Sequence, residues 1–182
     1  MLHPFSSISL EKQGRFFWPL VILAVLTMAA MNLVGAPLTT AAAPAGIVSY
    51  ELAGNVSGVE KILASWDAMA RERAAFVQGL DFLFIPIYAG AIAFGCSMAA
   101  GVLRRKGWRV ASLGAPLAWS VFLAGLLDVL ENIALVVMLF GAPVNPWPQI
   151  AFWCAVPKFG FIVLGILYSL FGGVLHIVWR KK

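Results

Sequence analysis

Residues 110–140 read VASLGAPLAWSVFLAGLLDVLENIALVVMLF. The 31 residues carry only two charged side chains, Asp128 and Glu131. At a rise of 1.5 Å per residue they cover about 46 Å as a helix, against a hydrocarbon core of roughly 30 Å. The stretch is therefore read as a membrane-spanning helix that carries two acids and, at Asn132, a carboxamide. Working outward, residues 16–38, 76–103 and 149–179 are apolar runs of spanning length too. The connection at 104–109 is short and basic, and the one at 141–148 holds three prolines and no charge. Short connections make antiparallel neighbours. The expected fold is all-α: a four-helix transmembrane bundle forming one integral membrane domain over residues 1–182.

Composition agrees. Of 182 residues, 62% are hydrophobic and 12% are charged. A soluble domain is about 45–50% apolar and about 25% charged. The mean hydropathy of +0.91 excludes the soluble globular, disordered and collagen-like classes. Residues 16–38 could also be read as a signal peptide ending at Ala41-Ala42-Ala43. The run is too long for the apolar part of a signal peptide, and Pro44 would follow the cut. A retained span is expected.

The cations set the orientation. Nine of thirteen lie at Lys12 and Arg15, at Arg104, Arg105, Lys106 and Arg109, and at Arg180, Lys181 and Lys182. With four antiparallel spans these all fall on one side. Cation-rich loops stay in the cytoplasm, so both termini are expected there. Trp18, Trp108 and Trp179 would form the inner aromatic belt, and Trp66 and Trp147 part of the outer one. The net charge of +5 is spent on topology, so no nucleic-acid partner is expected.

The outer segment, 39–75, is the one sizeable extramembrane piece. Ser57-Gly58-Val59-Glu60 has the form of a capping box. After it, Val59, Ile62, Leu63, Trp66, Met69 and Ala70 recur at helical spacing. An extra amphipathic helix is expected, lying on the membrane surface, over the bundle mouth, or as a lid on a site that opens outward.

Four ionisable residues fall inside spans: Asp81, Asp128, Glu131 and Lys158. Each costs about 2.5–3.5 kcal/mol at the bilayer centre on insertion scales, so such residues face the interior and find partners. Counted from the outer ends, Asp81 is roughly 6–8 Å deep, Glu131 and Lys158 roughly 14 Å, and Asp128 roughly 18 Å. Asp128 lies one helical turn from Glu131 and Asn132, and Asp81 shares a face with Tyr88 across Pro86. Pro157 loosens the helix at Lys158. Three acids and one lysine would sum to −2, which a proton, a cation or outside water would have to balance. Arg71 and Arg73 are expected to reach toward Asp81. The candidate ligand- or proton-binding residues are thus Asp81, Tyr88, Asp128, Glu131, Asn132 and Lys158. A Glu131–Lys158 pair that merely fixes helix register is the competing reading.

Other signals are weaker. Ala91, Gly95 and Ala99 form a small-residue ridge, read as a contact within the chain or as a homodimer face. Cys96 and Cys154 sit at different depths and are read as apolar fillers. His3 and His176 lie near opposite ends. No phosphate loop, GxSxG elbow, HExxH or CxxC occurs, so no metal, cofactor or catalytic residue is expected.

Several strings occur together: Leu80-Asp81-Phe82-Leu83-Phe84 with Tyr88, Leu127-Asp128-Val129-Leu130-Glu131-Asn132, and Trp153-Cys154-Ala155-Val156-Pro157-Lys158-Phe159. With Tyr50-Glu51-Leu52-Ala53 and Trp66, they resemble a family of small, uncharacterised bacterial four-span inner-membrane proteins, over most of residues 45 to 170. The resemblance implies a bacterial inner-membrane location and attaches no activity. Three functional readings follow. The first is binding, with permeation, of a small ligand, cation or proton at the polar cluster. The second is a membrane enzyme that acts on a lipid or isoprenoid through carboxyl acid–base chemistry. The third is an accessory subunit with no site of its own.

Overall fold

A computed structural model describes residues 3–180. Among them every regular element is helical. The α-helices are α1 (Leu10–Gly35), α2 (Ile47–Glu51), α3 (Val56–Ala64), α4 (Ala68–Arg105), α5 (Gly114–Phe140) and α6 (Trp147–Arg180). Single 3₁₀ turns follow α1 at Ala36–Leu38 and precede α5 at Arg109–Leu113. Four segments are long and apolar enough to cross a membrane: Lys12–Leu38, Ala68–Arg105, Arg109–Phe140 and Trp147–Trp179. The first is only 6% buried across its most apolar window, and the second 61%.

Two details of the outer segment differ from the sequence reading. The helix predicted to run through Met69 stops at Ala64, and α4 begins at Ala68. Asp67 Oδ1 accepts the Ala70 N–H at 2.7 Å, capping the new helix. No proline or glycine then interrupts residues 68–75, so this charged stretch is the first two turns of the second long apolar helix. At the start of α3 the cap is Asn55, whose Oδ1 accepts from Gly58 N at 2.8 Å. Asn55 holds an extended conformation suited to that role, and Ser57 already lies inside the helix.

The chain divides into two compact units, each assembled from parts of several helices. One comprises Val25–Ile85 and Leu126–Pro157. Its core joins Leu38, Ala43, Tyr50, Val59, Trp66 and Leu135. Trp66 Nε1 donates to the Leu38 carbonyl at 2.9 Å, and its ring meets Tyr50 edge-on at 5.4 Å. The Tyr50 hydroxyl donates to the Leu135 carbonyl at 3.0 Å. Burial pushes the Tyr50 phenol well above its ordinary range, with the Arg71 charge acting weakly the other way. Arg71 donates to the Leu63 carbonyl in the last turn of α3 at 2.7 Å. Its guanidinium, expected to reach toward Asp81, instead satisfies a helix C-terminus.

The other unit comprises residues 3–24, 86–125 and 158–180 of the described chain. α6 lies so close to α4 that a Cβ added at Gly172 would collide with Ala99, and one added at Gly95 would stand 2.7 Å from Ser169 Oγ. The Ala91, Gly95 and Ala99 ridge is buried, and its last two members meet α6 of the same chain. α4 ends in a paired turn: Trp108 N–H donates to Leu103 at 3.1 Å and Gly107 N–H to Arg104 at 3.0 Å. Gly107 takes φ +70°, which closes that turn. Lys106 Nζ then sits 5.0 Å from the Trp179 ring, and Trp108 packs on Trp179 and Phe171.

Residues ahead of α1 are folded onto the same unit, a feature hydropathy does not disclose. Phe5 stacks on Phe94 at 3.7 Å, and Gln13 Nε2 donates to the Ile8 carbonyl at 2.8 Å. Phe5 N–H donates to His3 Nδ1 at 3.2 Å, so Ser97 Oγ, also at 3.2 Å, is the donor to that nitrogen. Burial, with the Arg104 charge adding to it, lowers the His3 pKa from 6.5. Docking thus favours the neutral imidazole. The stabilisation is complete above about pH 6.5 and falls as pH drops from there toward the folded-state value. The difference in Tm between the native chain and His3→Ala should therefore narrow from pH 7.5 to pH 5.5. A gap that stays constant across this interval would refute the assignment.

Candidate functional site

On two of the long apolar helices the burial pattern of a soluble helix is inverted. On α5, Asp128, Glu131, Asn132, Leu135 and Met138 are buried, while Leu126, Leu130, Ile133 and Val137 are exposed. Glu131 and Asn132 are both 0% exposed. On the N-terminal half of α4, Ala74, Val77, Gln78, Asp81 and Ile85 are buried, while Phe76, Phe82 and Leu83 are exposed. The 3.6-residue period puts the polar groups on the inner stripe of each helix.

A hydrogen bond joins these two stripes. Asn132 Nδ2 donates to Asp81 Oδ2 at 2.6 Å, joining α5 to α4 within the Val25–Ile85 and Leu126–Pro157 unit. Asp128 and Glu131 lie on the α5 stripe in that unit. Tyr88 and Lys158 belong to the other unit, and both are buried. Lys158 is 4% exposed, with Nζ 4.6 Å from the Phe159 ring centroid, so its ammonium is enclosed by protein.

Two further polar residues of the Asp81 unit are buried and were not selected from the sequence. Glu51, at the end of α2, is buried although it belongs to the extramembrane segment. Gln78 is 1% exposed, one turn before Asp81. An uncharged amide in an apolar run draws no notice in a search for ionisable residues; its spacing of three from Asp81 is the signal that could have found it. Among the described residues, its Nε2 finds no hydrogen-bond partner, and neither does Asn132 Oδ1. A crevice of about 220 Å³ lies elsewhere in this unit, lined by Pro37, Ser65, Asp67, Met69, Ala70 and Arg73. Among the described residues, no three His, Cys, Asp or Glu side chains converge in a way that would hold a metal ion.

The Asp81–Asn132 contact has a measurable strength. Hydrogen bonds to charged groups contribute about 1.5–3 kcal/mol in soluble proteins. Polar contacts between spanning helices average about 0.6 and reach about 1.7 kcal/mol, because the unassembled helices also find partners in the membrane. A double-mutant cycle of Asp81→Ala with Asn132→Ala should give a coupling of about 0.6–1.7 kcal/mol. Strictly additive losses would mean that the bond contributes nothing.

Compared with known proteins, the chain matches no family model, no curated protein and no solved structure.

Proposed function

We propose that the chain is a multi-pass protein of the bacterial inner membrane, a bundle of four spanning helices with both termini in the cytoplasm. In this reading its buried carboxyl and carboxamide groups bind a small ligand, cation or proton that enters from the outer face. The observation that carries the reading is the Asp81–Asn132 bond between the buried stripes of two spanning helices. Around it, Asp128 and Glu131 are buried in the same unit. Helix register can be fixed by a single carboxamide or hydroxyl at modest cost. Three acids placed along spanning helices exceed that need, since each costs about 2.5–3.5 kcal/mol to insert near the bilayer centre. Polar groups retained at such expense mark binding or relay sites in membrane proteins.

A site that exchanges a ligand or proton must be reachable from water, whereas a structural network need not be. A water-soluble carbodiimide with an amine nucleophile, applied to the intact protein in membranes, should modify at least one of Asp81, Asp128 and Glu131, located by peptide mass spectrometry. Modification only after the protein has been unfolded would defeat the binding reading.

A further inference from the structure

We infer that the turn between α4 and α5, with the end of α6 beside it, binds the phosphate of an anionic phospholipid. The inference rests on the membrane location proposed above and is independent of the carboxyl cluster. It starts from the charge balance of the unit formed by residues 3–24, 86–125 and 158–180. These residues include eight Lys and Arg against one acid, Glu11, and the other seven acids of the chain all belong to the other unit. Four of the eight cations, Arg104, Arg105, Lys106 and Arg109, fall within six residues, and all four are exposed. Among the described residues none of the four pairs with a carboxylate. Like charges set so close together repel one another and attract an anion to the turn.

Topology alone would require only the cations. The turn has more built into it. The Tyr168 hydroxyl donates to the Val110 carbonyl at 3.1 Å, and Trp108 packs on Phe171 at 5.9 Å and Trp179 at 5.6 Å, so the segment is pinned to α6. Lys106 Nζ lies 5.0 Å from the centre of the Trp179 ring. The ring face attracts the ammonium and holds it in place while using none of its three N–H donors, which stay available to anionic oxygens. From Trp179 back along α6, Val174, Phe171 and Leu167 are exposed on one face, a lane of apolar surface leading away from the cations. A free phosphate ion would use the cations alone. A phospholipid uses both features, its phosphate at Lys106 and its acyl chains along the lane. In the proposed topology the turn faces the cytoplasmic leaflet, where tryptophan rings and lipid phosphates share the interface. A choline headgroup brings its own positive charge, which the turn repels, so a headgroup of net negative charge is preferred.

Native mass spectrometry of the full chain in mixed micelles tests this, with phosphatidylglycerol titrated against phosphatidylcholine. A single, saturable phosphatidylglycerol adduct is expected at mole fractions where phosphatidylcholine gives none. Lys106→Gln should raise the half-saturating mole fraction about fivefold, the effect of one basic residue at an anionic surface. Lys12→Gln, which removes an exposed cation of the same unit outside the turn, should leave it unchanged. Both side chains are exposed, so neither variant should lose its fold. Equal weakening by the two variants would show a diffuse attraction and overturn the site. Displacement of the adduct by excess inorganic phosphate would make the ligand a free anion and overturn the lipid assignment. Equal retention of the two lipids would also overturn it, while leaving the membrane location intact. A chain that stays monodisperse without detergent would instead overturn the membrane location itself.

Discussion

Replacing Trp66 with alanine should destabilise the protein by about 3–5 kcal/mol, the range for deleting a buried tryptophan. Trp66 is buried between Tyr50 and the turn that follows α1. Its removal empties a large volume in the cluster that also holds Leu38, Tyr50, Val59 and Leu135. It also orphans the Leu38 carbonyl, which receives the indole N–H at 2.9 Å. Trp66→Phe separates the two contributions. It keeps most of the ring volume and loses the donor, so it should cost about 1–3 kcal/mol. Reversible unfolding in mixed micelles measures both. A loss below about 1 kcal/mol for Trp66→Ala would mean that this cluster does not hold the outer segment in place.

The second large effect is expected at Gly172. A Cβ there would overlap Ala99 and approach its Cα to 2.6 Å, so a backbone must move. Overpacking costs about 1–3 kcal/mol and occasionally more. Helix propensity works in the opposite direction, since alanine exceeds glycine by about 1 kcal/mol in a helix interior. The clash should win at Gly172, and Gly172→Leu should lie at or beyond the upper end of that range. Gly173 is the internal control. A Cβ there meets nothing within 4 Å, so Gly173→Ala should be neutral or stabilising. The same unfolding assay compares the three variants. Equal behaviour at the two adjacent glycines would show that α4 and α6 do not approach closely at Ala99.

The four long apolar helices were legible in the sequence because hydropathy over some twenty residues is a collective signal that no single position can spoil. Asp81, Asp128, Glu131 and Lys158 stood out for the converse reason, as charges where charge is expensive. Gln78 did not, because an amide barely alters the hydropathy of its surroundings. Glu51 was hidden by location: an acid in an extramembrane segment is assumed to be solvated, and only tertiary packing buries it. The start of α4 was misjudged because Arg71, Glu72 and Arg73 mark the edge of the apolar run, while helix continuity depends on backbone hydrogen bonds and a cap at Asp67. The docking of Phe5 and His3 depends on contacts with residues nearly a hundred positions away, which no local pattern encodes.

The sparse burial of α1 has a practical consequence. Phe16, Trp18, Leu26 and Leu33 are exposed along it, and only 6% of its most apolar window is covered by the rest of the chain. In the proposed membrane location, acyl chains solvate this helix almost as they would an isolated peptide. A harsh detergent that strips annular lipid will loosen α1 before the better-packed helices. A spin label at Val25 should register that loss earlier than global unfolding does, making it a gauge for choosing extraction conditions.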